Sequence, residues 1–240
     1  MNKQPPVVLA ASYLGSAGHG NDLTGLRPWP AQLTGAFQQG DLAELHWSLV
    51  FASDPGRFSR MDLMSRLGLM AAELLDAGLE CLAPERRDRI GVCVETCAGS
   101  LATDLRFLQT PRASIFTYTL PSTVIGEICI RYHLRGPVMC LVTPPGPEQG
   151  SLAEAVHWLD QGDAEACLCV GSEAVEWERA RLLPEGFCVP PWHGCAVLLG
   201  NATGEARQYA LTGNLSRNQS LAGMCRNLCR DAKHAAKHAC

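Results

Sequence analysis

Short apolar runs alternate along the chain with longer segments whose apolar residues recur at helical spacing, and this alternation constrains the fold more than any other feature. Leu63, Leu67, Met70 and Leu74, for example, would share one face of a helix. The pattern predicts strands at 7–14, 89–95, 137–143 and 166–171, helices at 59–78, 99–109, 122–134, 151–161 and 216–239, and a closing hairpin of 195–200 and 207–213. This succession predicts an α/β fold with a mixed β-sheet flanked by helices.

Local sequence signals predict where one helix begins and ends and what one connecting segment contains. Ser59 and Asp62 resemble a capping box, which predicts that the helix begins at Ser59, and Gly78 would end it. Residues 21–45 are polar and rich in Gly and Pro, which suits a helix and a loop.

Composition excludes several classes of function. Hydrophobic residues make up 47% of the chain and charged residues 18%, as in a globular protein, and the formal net charge of −4 gives no reason to expect a nucleic acid or an anionic membrane as partner. No apolar run approaches the roughly 18 residues of a membrane span. The run from Val7 to Leu14 fits a buried first strand better than a signal peptide. We therefore expect a cytoplasmic protein.

Several of the 12 cysteines fall within apolar runs, so in a reducing compartment they would act as small hydrophobes. The C-terminal segment suggests a zinc site, but a continuous helix would put its cysteines and histidines on nearly opposite faces. The residues concerned are Cys225, Cys229, His234, His238 and Cys240. The glycine-rich stretch at 15–20 lacks the spacing of a dinucleotide loop and fits a surface turn. We expect neither a metal nor a cofactor.

A Cys–His enzyme remains an alternative from the residues alone. Cys97 or Cys140 could pair with His133, His157 or His193, although buried structural cysteine explains each thiol as well.

Five stretches, in this order, resemble the ketosynthase family, whose members have the thiolase fold. They are RFSRMDLMSRLGLMAAELLDAGL (57–79), RIGVCVETCAGS (89–100), FTYTLPSTVIGEICIRYHLRGP (116–137), EAVHWLDQGDAEACLCVGSEA (154–174) and the hairpin at 195–213. The third is the most specific, because a Leu-Pro turn leads into a helix that ends in Leu-Arg-Gly-Pro before a strand. The resemblance covers 5–213. It implies a thiolase-like half-fold, the N-terminal half, as a domain at 1–213 with a C-terminal helical tail at 214–240.

The same resemblance implies that the family's catalytic residues are missing. An active ketosynthase has its nucleophilic Cys about nine residues after the Gly-Pro, and the position reached from Gly136 and Pro137 is Pro145, which has no nucleophile. The family's two histidines and its lysine belong to the second half of the fold, to which no residue here can be assigned. We therefore expect no catalysis by the family mechanism.

Chain-length factors are the ketosynthase-like class that lacks the nucleophile and pairs with an active ketosynthase in type II polyketide assembly. The resemblance implies such a role, as in aryl polyene pathways, with a heterodimer or a dimer of heterodimers and the acyl carrier protein docking on the partner. It makes the following residues candidates for the acyl tunnel or the subunit interface: Phe107, Phe116, Tyr118, Leu120, Thr123, Met139 and Cys140. Ordinary packing is the alternative for each, and a scaffold that touches no acyl chain is the alternative for the protein.

A half-fold would also leave an apolar face behind, because in the full fold of the family the two halves pack face to face across central helices. We expect residues 214–239 or the partner subunit to cover that face.

Overall fold

The computed structural model describes residues 6–75, 84–143, 150–174, 192–200, 209–210 and 220–237. Its strands are β1 (Val7–Gly15), β2 (Gly18–Asn21), β3 (Gly25–Arg27), β4 (Ile90–Thr96), β5 (Val138–Val142), β6 (Ala166–Glu173), β7 (His193–Gly200) and β8 (Tyr209–Ala210). Its α-helices are α1 (Ala31–Gln38), α2 (Leu63–Leu74), α3 (Leu101–Gln109), α4 (Ala113–Phe116), α5 (Thr123–Tyr132), α6 (Gly150–Gln161) and α7 (Leu221–Lys237). Short 3₁₀ helices lie at Trp47–Leu49, Phe58–Arg60 and Pro84–Arg89.

One mixed sheet organises these elements in the order β3-β2-β1-β7-β6-β4-β5, with β8 paired to β1. Strands β5, β4 and β6 are parallel, whereas β7 runs antiparallel to both of its neighbours, β6 and β1. The α/β fold with a mixed sheet is therefore confirmed. The predicted strands and helices also correspond to observed elements, apart from the corrections that follow.

The predicted closing hairpin is wrong. Strand β7 already has β1 on one side and β6 on the other, so it has no free edge for the next strand. Strand β8 instead pairs with the start of β1, through Val7 with Ala210 and Val8 with Tyr209.

The predicted start of α2 is also wrong. Ser59 lies in a 3₁₀ turn, and the helix begins four residues later at Leu63, with Asp62 as its N-cap accepting from the Ser65 N–H at 2.9 Å. The predicted end at Gly78 lies outside the described residues.

The polar segment after β1 contains a hairpin that the sequence pattern did not predict. Strands β2 and β3 pair antiparallel, and Gly15 and Gly18 close the turn between β1 and β2. Only Ser16 and Ala17 of the glycine-rich stretch form the turn, and its glycines lie buried in the two strands. Gly18 has a φ of +133°, and a Cβ there would lie 2.2 Å from the Arg27 carbonyl oxygen, so no side chain fits.

Helices cover both faces of the sheet. Helices α2 and α5 pack on one face, where the first core cluster includes Leu67, Met70 and Ile128. Helices α6 and α7 pack on the other face, α6 over β4 and β6 and α7 over β1 and β7.

Helix α7 is held to the sheet by a buried apolar side. Leu221, Met224, Cys225 and Cys229 are each no more than 5% exposed, and full burial of a side chain such as Leu or Met contributes about 1.5–3 kcal/mol. Part of the predicted tail thus covers a face of the sheet. The division into a domain at 1–213 and a tail at 214–240 stays a prediction, because residues 211–219 lie outside the described part. None of the helices that the structure describes is long and apolar enough to span a bilayer.

Candidate functional site

Strand β5 forms one end of the sheet, and one of its edges has no partner among the described residues. It pairs with β4 in parallel, and the Val92 N–H to Pro137 oxygen bond (2.9 Å) and the Thr143 N–H to Thr96 oxygen bond (3.0 Å) hold its two ends. No strand in the described ranges pairs with its other side. An apolar strand with an open edge can accept a strand from another chain.

Exposed apolar side chains concentrate in the segment of the chain that ends with this strand. Among the described residues, seven large hydrophobic side chains are more than half exposed, and all but Leu23 fall between residues 108 and 142. We call those six the apolar edge: Leu108 (75% exposed), Phe116 (61%), Leu120 (64%), Ile130 (57%), Val138 (53%) and Val142 (59%). Exposed apolar residues that cluster in this way mark interaction sites.

Two predicted site residues, Phe116 and Leu120, belong to the apolar edge. The Phe107 and Phe116 rings contact each other with centroids 5.5 Å apart, so two of the predicted residues join helices α3 and α4. Thr123 is half-buried at the start of α5, where its hydroxyl donates to the Thr117 oxygen at 2.9 Å.

Tyr118 has a different environment, because it is buried. Its hydroxyl donates to Glu127 Oε1 at 2.8 Å, and Arg57 Nη2 lies 3.3 Å from the same oxygen. Burial and the bond to Glu127 raise the pKa of Tyr118 to about 12, so the phenol stays a neutral donor. The bond fixes the turn before α5 onto the helix.

Met139 and Cys140 are half-buried and lie on opposite faces of β5. Cys140 packs against the core under α2 and α5, and Met139 packs against the core under α6. The most exposed residues of the strand are Val138 and Val142. The sequence pattern identified this strand but not these two side chains, since an apolar run of five residues does not show which positions are covered.

A second group of polar residues lies where β4 and β6 end. Glu173 is 2% exposed, and its carboxylate accepts from the Thr96 hydroxyl at 2.9 Å and from the Cys97 N–H. The Glu95 carboxylate accepts hydrogen bonds from the Ser151 N–H at 3.0 Å and from the Ser151 hydroxyl at 2.6 Å. We call this the strand-end cluster. Acidic residues at the ends of two apolar strands, in VCVET and CLCVGSE, were its signal in the sequence.

The strand-end cluster disfavours thiolate chemistry at Cys97. Burial, the nearby Glu173 charge and its hydrogen bond raise the pKa of the Cys97 thiol to about 12. Burial also raises the pKa of Cys140. A nucleophilic thiol needs the opposite shift.

The three histidines of the predicted Cys–His alternative lie on three different elements of the structure. His133 is exposed and ends α5 in a left-handed conformation, His157 is exposed on α6, and His193 is buried opposite Glu173 in the β6–β7 register. The described geometry therefore provides no support for a Cys–His enzyme.

Two of the three cysteines of the suggested zinc site, Cys225 and Cys229, face the sheet. Cys225 Sγ lies 3.7 Å from the Ala196 oxygen, and Cys229 Sγ lies 3.7 Å from the Gly20 oxygen. Among the side chains that the structure describes, no three His, Cys, Asp or Glu residues come together to hold a metal. The side chain of His234, and His238 and Cys240 altogether, lie outside the described part.

A cavity of about 620 Å³ lies between the segment after α1 and the starts of α2 and α3. Asp62 links the starts of α2 and α3 beside this cavity, because one of its carboxylate oxygens accepts a hydrogen bond from the Thr103 hydroxyl at 2.8 Å. None of the seven predicted tunnel and interface residues lines the cavity as the structure describes it.

The sequence matches the N-terminal domain of beta-ketoacyl synthases over residues 29–184, which is well over half of the chain. The chain belongs to the beta-ketoacyl synthase family. The predicted resemblance is thus confirmed, and helix α7 lies outside the matched range.

A curated relative is the tetracenomycin polyketide synthase ketoacyl synthase beta subunit of Streptomyces glaucescens. It is 32% identical over 151 residues, which cover 55% of this chain and 36% of that protein. The chain spans about a third of the length of the curated relatives it matches.

Solved structures of ketosynthases share the fold. One is the ishigamide ketosynthase/chain length factor, with a TM-score of 0.59 and 18% identity, covering 85% of this chain and 64% of that one. Another is a ketosynthase in complex with its chain length factor from Xenorhabdus doucetiae, with a TM-score of 0.56 and 13% identity, covering 93% of this chain and 92% of that one. These likenesses confirm the thiolase-like ketosynthase fold.

The predicted nucleophile position, Pro145, lies in 144–149, outside the described residues. Its assignment to that position stays a prediction from the family resemblance. A proline has neither a thiol nor a backbone N–H.

We expect iodoacetamide at pH 7.5 to alkylate Cys97 at least about 100-fold more slowly than free cysteine, because a pKa near 12 leaves little thiolate. Glu173→Gln should accelerate this alkylation, since it removes the charge that raises the pKa. Peptide mass spectrometry measures both rates, and Cys129, half-buried on α5, is the internal control. Rapid labelling of Cys97 in the unmodified chain would contradict this assignment and restore the Cys-dependent alternative.

Proposed function

We propose that this protein is a non-catalytic, chain-length-factor-like subunit that pairs with an active ketosynthase through the free edge of β5. The observation that supports it best is that edge: an apolar strand without a second partner among the described residues, flanked by exposed Val138 and Val142. A strand from another protein would satisfy the backbone groups of β5 and cover these side chains together.

The absence of its own chemistry is part of the proposal. Pro145 stands where the family resemblance places the nucleophile, and the environments of Cys97 and Cys140 raise the pKa of both thiols. The ketosynthase partner would then supply the cysteine and the histidines, and the acyl carrier protein would deliver chains to that partner. The sequence similarity to the beta subunit from Streptomyces glaucescens and the fold shared with the solved ketosynthase–chain length factor structures support this assignment.

We also propose that the apolar edge shapes the acyl tunnel at the subunit interface. Phe116 and Leu120 would project toward the growing chain, with Phe107 supporting Phe116 from behind. Tyr118, held by Glu127, would fix the turn that carries Leu120, and Thr123 would hold the same turn through Thr117. Met139 and Cys140 on β5 would form one wall of the tunnel. The substrate class would be a polyketide or aryl polyene chain, assembled in the cytoplasm.

Replacing Val138 and Val142 together with glutamate should abolish pairing with the ketosynthase of the same gene neighbourhood. Two charges buried without partners would weaken the complex by about 100-fold or more. Co-expression, affinity purification and a native mass of the complex measure this. Leu23→Glu is the matched control, since Leu23 is also exposed (52%) but lies outside the apolar edge. If the double variant still pairs stoichiometrically, the β5 edge is not the interface.

Product length separates a tunnel from a scaffold that touches no acyl chain. Phe116→Ala should lengthen the product made by the complex and Phe116→Trp should shorten it, because the volume at the tunnel end changes in opposite directions. Mass spectrometry of the chains released from the carrier protein measures this, with Leu23→Ala as the control. Unchanged product length in an intact complex would favour the scaffold.

A further inference from the structure

Buried thiols line the contact between helix α7 and the sheet. Cys225 and Cys229 on α7 and Cys195 on β7 are each 0% exposed, and all three belong to the second core cluster. The proposed function gives these thiols no role. Two thiols in contact can be joined by a disulfide when their side chains point toward each other, so the directions of the sulfur atoms decide which pair is suited to it.

Cys195 and Cys225 face each other across this contact. The Cys225 Sγ lies 3.7 Å from the backbone oxygen of Ala196, the residue that follows Cys195 on β7. Burial, followed by a hydrogen bond between the two thiols, raises the pKa of Cys225 well above its usual value. The Cys229 Sγ lies 3.7 Å from the Gly20 oxygen and so points toward β2 instead. Cys229 is therefore the poorer partner for Cys195.

A glycine on the neighbouring strand makes room for the Cys195 sulfur under α7. Gly171 on β6 is the register partner of Cys195. A Cβ at Gly171 would lie 2.7 Å from the Cys195 Sγ and 3.5 Å from the Leu221 side chain of α7. Two other thiols on this face of the sheet, Cys167 and Cys169, donate to backbone oxygens of α6 at 3.6 and 3.4 Å. The thiol pair that joins the sheet to α7 is thus Cys195 with Cys225.

We propose that Cys195 and Cys225 are a modification site, at which hydrogen peroxide forms a disulfide that fastens α7 to β7. One thiol is oxidised to a sulfenic acid as the O–O bond of the peroxide breaks and one water leaves. The sulfur of the second thiol then forms the S–S bond, and a second water leaves. Two thiols and one peroxide thus give one disulfide and two waters, and a thiol reductant such as glutathione reverses the change by exchange. Helix α7 lies outside the range that matches the family, and the inference does not depend on the proposed function.

Burial determines when this oxidation can occur. While α7 lies on the sheet, both sulfur atoms are covered, and a protonated, buried thiol reacts slowly with peroxide. The first step therefore needs a local opening of α7, which exposes Cys195 and Cys225 together. When the helix returns to the sheet, it brings the oxidised sulfur back against the second thiol. The disulfide then prevents further opening of α7.

The test exposes the full-length chain to hydrogen peroxide, blocks the remaining thiols with N-ethylmaleimide in denaturant, and maps the disulfides by peptide mass spectrometry without reduction. We expect one dominant link, between Cys195 and Cys225, which dithiothreitol should remove. The Tm of the oxidised chain should exceed that of the reduced chain by about 5 °C or more, because the link closes the segment between β7 and α7.

Two matched variants on α7 provide the control, since Cys225 and Cys229 are both fully buried on the same helix. Cys225→Ala should lose both the link and the rise in Tm, whereas Cys229→Ala should keep both. A dominant link through Cys229, oxidation of these thiols only to sulfinic acid, or a chain that stays reduced would overturn the inference. A Cys195–Cys225 link that leaves the Tm unchanged would do the same, because α7 would then not be fastened. These measurements use the chain without a ketosynthase, so their result is independent of the proposed pairing.

Discussion

The position of β7 determines the rest of the sheet. Its antiparallel pairing with both β6 and β1 joins the parallel strands to the N-terminal strands and places β1 in the interior. With β7 enclosed, β8 can pair only elsewhere, and it takes the start of β1. The parallel strands then extend in the other direction, from β6 through β4 to β5, the apolar strand at which the described part of the sheet ends. The same pairing that builds the core therefore defines the proposed interface.

Polar side chains hold the elements around this edge in place. Glu173 fixes the turn after β4, and Ser100 in that turn donates to the Thr119 oxygen at 2.7 Å, which ties the turn to the segment carrying Leu120. Glu127 holds Tyr118 in that same segment. Because these carboxylates are buried and hydrogen-bonded, they act as positioning groups for the apolar edge. A half-buried thiol beside such a carboxylate is stabilised in its protonated form, which is the reverse of what catalysis by Cys97 would need.

Much of the fold could be predicted from the sequence, for reasons that depend on particular residues. Leu67 and Met70 recur at helical spacing, and β4 and β6 are apolar runs. Both patterns indicate local structure directly. The pairing of β8 could not be predicted, because it depends on which edges are already occupied. The start of α2 was missed because Ser59 and Asp62 both suit a helix start, and the 3₁₀ turn at Phe58–Arg60 selects Asp62. At the candidate site, the sequence indicated β5 and Phe116, but the exposure of Val138 and Val142 and the burial of Tyr118 follow only from tertiary packing.

Hydrogen exchange of the β5 amides, compared between the free chain and its complex with the ketosynthase, tests the central claim most directly. If β5 pairs with a strand of the partner, the amides of Val138–Val142 that point away from β4 should exchange rapidly in the free chain and become strongly protected in the complex. Amides of β6 should change little, because β4 and β7 already flank that strand. Equal exchange of the β5 amides in the free and bound chain would contradict the account and place the interface elsewhere on the molecule.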